Sequence, residues 1–166
     1  SESWQAAAEK FDNMTDLERQ LLLTERKELR DNKEFFGRVK SDNFNSMLKG
    51  KDAATQKAMR DNRIGVLKTD LGKTTTEQQG RDILDRMSKD EKAGLTLETV
   101  EHLANTGALS AADAHNIHQH GTEDVRKFLA KHPKYSKNLV GPGVDTTDKN
   151  DEKKDEPTEE KGEDNK

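Results

Sequence analysis

The chain of 166 residues contains no cysteine and only three prolines, and its aromatic residues are five phenylalanines, one tyrosine and one tryptophan. Without cysteine there is no disulfide framework, no thiolate metal ligand and no cysteine nucleophile. No run approaches the roughly 18 apolar residues that a membrane-spanning helix needs, and the first residues lack the charged start and apolar stretch of a secretory signal. We therefore expect no membrane segment and a cytoplasmic location, with incorporation into a larger particle as an open alternative.

Large apolar side chains are also scarce, and they are unevenly distributed. Residues 145–166 contain none at all, but carry ten carboxylates against five lysines. Ordering such a segment would cost about 1 to 2 kcal/mol of backbone entropy per residue, with no apolar burial to offset it. The sequence therefore predicts a disordered acidic tail over 145–166, after a Gly/Pro linker over 136–144.

The remaining sequence favours an all-α fold made of short capped helices. No proline precedes Pro133, and no stretch alternates apolar and polar residues over the length of a strand. Three pairs have the spacing of a capping box, in which two side chains accept from opposed backbone amides: Thr15 and Glu18, Thr74 and Glu77, Ser88 and Glu91. Four glycines lie where helices are expected to end: Gly50, Gly72, Gly107 and Gly121.

Two regions are predicted within the helical part. The N-terminal helical region, 1–73, should contain a short helix around Trp4 and a long one from about Asp16 to Phe36. The region 74–135 should form a compact subdomain of short helices. It contains two 13-residue units in the same register, 95–107 and 109–121, each with a Leu, a Thr or Ser cap and a final glycine. A third helix should start at Thr122 and stop before Pro133.

The predicted long helix carries a candidate partner-binding face. At about 100° per residue, a set of large apolar side chains falls within one arc of that helix: Leu17, Leu21, Leu22, Leu29, Phe35 and Phe36. Glu25, Glu28 and Asn32 lie within the same arc, so the middle of the face is thinly apolar. The competing interpretation is that these side chains form the core of the chain itself.

A second candidate site is a group of histidines, His115, His118 and His120. His115 and His118 lie three residues apart on one helix face, and neutral imidazoles bind zinc, copper and nickel. A metal would need a third or fourth ligand that the spacing does not supply. The alternative is a polar helix face rich in histidine, and we predict no cofactor.

These features favour a non-catalytic adaptor or assembly protein that binds a protein partner or itself. A structural or assembly component of a larger complex or virion is one protein of this kind. No acid, base or nucleophile lies in an apolar setting that would activate it, so we expect no enzyme. The alternative is a nucleic-acid-associated protein that uses the helices of 15–73, which carry 14 lysines and arginines against 10 acids. The acidic tail would then compete as a phosphate mimic.

Overall fold

A computed structural model describes residues 3–139, and this part of the chain contains ten α-helices, two 3₁₀ helices and no strand. The predicted all-α fold is confirmed. Most of the linker and the whole tail, 145–166, lie outside the described residues. The helices are α1 (Trp4–Asp12), α2 (Asp16–Glu25), a 3₁₀ helix (Lys27–Asp31), α3 (Lys33–Arg38), α4 (Ser41–Leu48), α5 (Ala53–Lys73), α6 (Glu77–Leu84), α7 (Lys89–Ala93), α8 (Leu97–Thr106), α9 (Ala111–His120), α10 (Glu123–Lys131) and a second 3₁₀ helix (Ser136–Asn138).

The first helices form one apolar core, which we call the N-terminal cluster. Two aromatic pairs meet edge to face within it, Phe11 with Phe35 at 5.1 Å and Phe36 with Phe44 at 5.7 Å between ring centroids. Helices α3 and α5 approach closely at Gly37, where a Cβ atom would lie 2.3 Å from the Val66 side chain. The buried members of the N-terminal cluster are Ala7, Ala8, Phe11, Leu29, Phe35, Phe36, Val39, Phe44, Met47, Leu48 and Met59.

The predicted continuous helix from Asp16 to Phe36 is wrong, because the chain turns twice within it. Helix α2 ends at Glu25, a 3₁₀ helix follows, and α3 starts after Asn32. The Asn32 side chain accepts a hydrogen bond from the backbone amide of Phe35 at 2.9 Å, which caps the new helix. Beyond the turns, Leu29, Phe35 and Phe36 are buried in one core, while Leu17 and Leu21 of α2 remain exposed.

The end of α5 and the helices that follow it form a second apolar core, which we call the C-terminal cluster. The two 13-residue units become α8 and α9, and their inner residues Leu103 and Ile117 are fully buried. Gly107 ends α8 in the left-handed conformation, with φ of +82°. The buried members of the C-terminal cluster are Leu67, Leu71, Ile83, Leu84, Met87, Leu95, Val100, Leu103, Ala108, Leu109, Ala114, Ile117, Val125, Leu129, Tyr135 and Leu139.

The capping predictions are confirmed at two of three sites. Thr15 with Glu18 and Ser88 with Glu91 form complete capping boxes. Thr74 does not cap α6, because its hydroxyl group donates to the Leu71 carbonyl at 2.7 Å and the cap falls on Thr76 instead.

The glycine predictions have mixed outcomes. Gly50, like Gly107, has a positive φ, of +80°, and follows the end of a helix as expected. The expectation for Gly72 is wrong, because it lies inside α5. Gly121 does follow α9, but with an extended backbone and not a left-handed one.

Arg63 joins the two clusters. It projects from the middle of α5, is 0% exposed, and uses all five of its N–H donors. Nη1 donates to the carbonyls of Phe36 and Val39 at 2.6 and 2.7 Å, while Nη2 donates to the carbonyl of Arg86 at 2.9 Å. Nε and Nη2 also bind the Glu91 carboxylate, at 2.7 and 3.2 Å. The guanidinium therefore ties α3, α5 and the α6–α7 segment together at one point.

Within residues 3–139, none of the helices combines the length and the apolar character needed to cross a membrane.

Candidate interaction surfaces

Helix α2 presents an exposed pair of leucines, which we call the α2 surface. Leu17 and Leu21 are 66% and 55% exposed, and their spacing of four residues places them on the same face of the helix. The opposite face is held to the protein by Arg19. Its guanidinium donates to the carbonyls of Met14 and Phe11 and lies over the Phe11 ring. Helix α2 buries none of its residues, so it lies on the outside of the N-terminal cluster.

The structure divides the predicted contact face into two groups. Leu29, Phe35 and Phe36 are fully buried in the N-terminal cluster, so they are not available to a partner in this conformation. Leu22 is half-buried against that cluster. Only Leu17 and Leu21 remain as an exposed apolar surface, and the break in the helix after Glu25 is the physical reason for the division.

The three histidines of α9 have different environments. His118 is fully buried, His115 is partly buried and His120 is exposed. Within residues 3–139, no three His, Asp or Glu side chains are arranged to hold a metal ion.

Asp113, His102 and His132 could by residue type supply a further metal ligand, but all three have other contacts. Asp113 pairs with Lys92 at 2.9 Å, and Nε2 of His102 lies 2.7 Å from the Thr74 carbonyl. Nδ1 of His132 accepts from the backbone amide of Lys134 at 3.1 Å. These contacts hold helices and turns together.

A polar cleft of about 680 Å³ lies between α1, α6 and the end of α5. Several of its side chains hold helices in place: Asp12 accepts from the amides of Lys40 and Asn43, and Arg86 donates to Gln5 and to the Gly37 carbonyl. Burial holds the pKa of Arg86 below its ordinary value. The cleft is therefore lined in part by side chains that hold the surrounding helices together.

Some of the basic residues of 15–73 are paired with carboxylates or buried. Arg38 pairs with Glu34 at 3.0 Å and with Asp70 at 3.4 Å, and Lys57 pairs with Asp61 at 2.7 Å. Arg63 is buried. Ion pairs thus match part of the positive charge of this region, at Arg38, Lys57 and Arg63.

A second surface, which the sequence reasoning missed, lies at the C-terminal end of the described chain. Residues 125–139 contain five lysines and arginines and no carboxylate. Three aromatic rings run through this stretch, with Phe128 and His132 5.5 Å apart and His132 and Tyr135 4.8 Å apart between centroids. The string VRKFLAKHPKYSKNL shows this combination of basic and aromatic residues. The prediction of a basic region instead rested on the larger number of basic residues in 15–73.

Tyr135 anchors this group of rings to the core. Its hydroxyl group donates to the Leu109 carbonyl at 2.7 Å, and burial raises the pKa of that hydroxyl group above its ordinary value. Phe128 and His132 are only partly buried. We call Phe128, His132, Lys131, Lys134 and Lys137 the basic aromatic surface.

Comparison of the chain with protein-family models, with curated proteins and with solved structures finds no match.

Proposed function

We propose that this protein is a non-catalytic interaction module, an adaptor or assembly component, that binds through the α2 surface. The observation that supports this proposal is a helix of ten residues that buries none of them and exposes two leucines on one face. Leu17 and Leu21 are the exposed large hydrophobic side chains of residues 3–139. Exposed apolar side chains that lie together favour a protein contact over a purely solvated surface.

The dimensions of α2 suggest what kind of contact it makes. Ten residues of α-helix are about 15 Å long. One such helix covers well under the roughly 1,000 Å² expected of a stable interface. The proposed contact is therefore weak for a single pair of molecules and becomes strong when many copies are held side by side, as in an assembly.

The occupant we propose is an apolar helix face, in the first instance α2 of a second copy. Two such helices related by a two-fold axis would cover each other's leucine pairs symmetrically. Burial of the leucine side chains would stabilise the contact by roughly 25 cal/mol for each Å² of apolar area removed from water. The leucine pair would therefore contribute a few kcal/mol at most to the binding free energy. A protein partner that offers a similar helix would bind in the same way.

Absolute mass in solution, measured by light scattering on a sizing column over a range of concentrations, tests the proposal. We expect the full chain to form a reversible oligomer that dissociates on dilution, and the variant L17S/L21S to remain monomeric. The control A54S/A58S has the same spacing on exposed positions of α5 and should behave as the unaltered chain. Either an oligomer that persists in L17S/L21S or a chain that is monomeric at its highest soluble concentration would refute self-assembly through α2.

The alternative function, nucleic-acid association through the helices of 15–73, stays a prediction. The ion pairs of Arg38 and Lys57 and the burial of Arg63 give it no support at that location. Steep loss of binding with rising salt would distinguish it from an apolar contact, which responds little to salt.

A further inference from the structure

The basic aromatic surface has an unbalanced positive charge. Lys131, Lys134 and Lys137 are exposed, follow one another at intervals of three residues, and form no ion pair within residues 3–139. Lys127 pairs with Glu123 at 3.3 Å, but both side chains are largely exposed, so that pair neutralises the lysine only weakly. The positive charge of this surface therefore lies mainly on Lys131, Lys134 and Lys137, at the end of α10 and in the turn that follows.

The aromatic rings of the same surface are fixed by the fold. Tyr135 is held in the core by its hydrogen bond to Leu109, and the ring of His132 lies against it. The Phe128 ring contacts His132 in turn, and Nζ of Lys134 lies 5.4 Å from the centroid of the Tyr135 ring. The partly exposed rings of Phe128 and His132 are thus positioned before any ligand arrives, and Lys131 and Lys134 flank His132 in the sequence.

We infer that the basic aromatic surface binds single-stranded nucleic acid. Lysines that track a phosphate backbone and aromatic rings that accept unstacked bases are the two components of sequence-tolerant single-strand binding. A duplex keeps its bases stacked and would use only the lysines. An acidic protein segment would also use only the lysines, because it has no bases to place on Phe128 and His132.

This inference is independent of the α2 surface. It also changes the location expected for nucleic-acid binding, from the helices of 15–73 to the end of α10. The difference is that the cations of 15–73 lie among carboxylates, whereas those of 125–139 do not.

Fluorescence anisotropy of a labelled oligothymidylate, titrated with the full chain at low and moderate salt, tests the proposal. With three to five lysines and arginines in contact, the logarithm of the binding constant should fall with the logarithm of salt concentration with a slope of roughly −2 to −3.5. The variant K131Q/K134Q/K137Q should weaken binding at least tenfold. The control K27Q/K33Q/K49Q makes the same change of net charge at exposed lysines elsewhere and should change binding less than twofold.

The contribution of the rings is measured without altering the protein. An abasic strand of the same length keeps every phosphate and removes the bases. We expect it to bind at least fivefold more weakly than oligothymidylate, since stacking of one base on an aromatic side chain is worth about that factor or more. The variant H132A, checked for an unchanged melting temperature, should reduce the difference between the two strands.

Four results would overturn the inference. They are undetectable binding, equal weakening by the two triple variants, equal affinity for the abasic strand, and equal affinity for a duplex of the same sequence. Displacement of the oligonucleotide by polyglutamate at the same charge concentration would point to an acidic protein ligand and would also reject single-stranded nucleic acid.

Discussion

The two apolar clusters of this protein are built differently. The N-terminal cluster depends on four buried phenylalanines brought together by turns, and it leaves one helix, α2, with exposed leucines. The C-terminal cluster consists mostly of aliphatic side chains from successive short helices, and among residues 67–139 it leaves no large apolar side chain fully exposed. The C-terminal cluster therefore offers little exposed apolar surface to a partner, and a protein contact is expected at α2. Any contact at α10 is expected to depend on charge.

The largest effect is expected where the two clusters meet. Replacing Arg63 with alanine leaves the Glu91 carboxylate and the carbonyls of Phe36, Val39 and Arg86 without their shared donor. Loss of one partner from a buried ion pair costs about 3 to 5 kcal/mol of unfolding free energy. Urea unfolding should show this loss, while R60A, one turn away on the exposed face of α5, should stay within about 0.5 kcal/mol of the unaltered protein. A loss below 1 kcal/mol for R63A would mean that the two clusters do not depend on this joint.

The next largest effect on stability is expected at Leu29, which the structure separates from the exposed leucines of the predicted contact face. L29A removes a fully buried side chain from the N-terminal cluster and should lower the unfolding free energy by about 2 to 5 kcal/mol. L17A, at a site that is 66% exposed, should stay within about 0.5 kcal/mol and weaken association alone. Chemical unfolding and light scattering on both variants measure the two effects. The assignment of Leu29 to the core and Leu17 to a contact would be reversed if L29A changed association and left stability intact.

Two helix glycines allow packing in the clusters to be compared directly. An added Cβ atom would lie 2.3 Å from the Val66 side chain at Gly37, and 2.5 Å from the Ala108 side chain at Gly80. Overpacking of this kind costs about 1 to 3 kcal/mol, so G37A and G80A should both be destabilising.

Gly65 provides the matched control for these two substitutions. It also lies in a helix, but a Cβ atom there would meet nothing within 4 Å. G65A should therefore stabilise the protein by about 0.5 to 1 kcal/mol, which is the ordinary gain on replacing a helix glycine. Thermal unfolding of the three variants provides the measurement. A stabilised G37A would show that α3 and α5 can separate at little cost.

The smallest effect is expected at the start of α2. The Glu18 carboxylate accepts a hydrogen bond from the backbone amide of Thr15 at 2.8 Å, and this bond holds the pKa of Glu18 below its ordinary value. A pKa lowered by folding contributes stability above the unfolded value, and that contribution is lost as the pH falls through the folded value, below about pH 4. Amide NMR signals of α2 should therefore lose their helical shifts in acid before those of α8, which has no side-chain cap hydrogen bond.

The matched variant is E18Q, which cannot be titrated. It should remove most of the early loss of α2 signals and leave the acid response of α8 unchanged. The effect is small because Glu18 is exposed to solvent. If α2 in E18Q still lost its signals first, the cause would be its lack of buried residues and not its cap.

The sequence predicts the C-terminal half better than the N-terminal half, and the reason is local. Ser110 caps α9 with its side chain, Gly107 ends α8 in the left-handed conformation, and Thr122 directly precedes α10. The units 95–107 and 109–121 can therefore be recognised without tertiary information. Between Asp16 and Phe36 no proline or glycine occurs, and the break follows from the burial of Leu29 and the Phe35–Phe36 pair. Asn32, a preferred N-cap residue, is the one local signal of that break.

The candidate surfaces are predictable to different degrees for the same reason. The apolar periodicity that identifies Leu17 and Leu21 in α2 continues past the end of that helix. It therefore also includes Leu29, Phe35 and Phe36, because the pattern alone does not show where the helix breaks. The lysines of 131–137 are visible in the sequence. Their association with Phe128 and His132 is not, since it depends on the turn after α10 and on the Tyr135 hydrogen bond to Leu109.

The five hydrogen bonds of Arg63 also bear on the order in which the chain can fold during synthesis. Its acceptors come from residues 36 and 39 before it and from residues 86 and 91 after it. During synthesis, α1 to α5 leave the ribosome before Glu91 does. At that stage the Arg63 guanidinium lies beside the apolar N-terminal cluster without the carboxylate that pairs with it. The N-terminal cluster should therefore acquire protease resistance only after α7 has left the ribosome, which makes the first 90 residues dependent on the next segment of the chain.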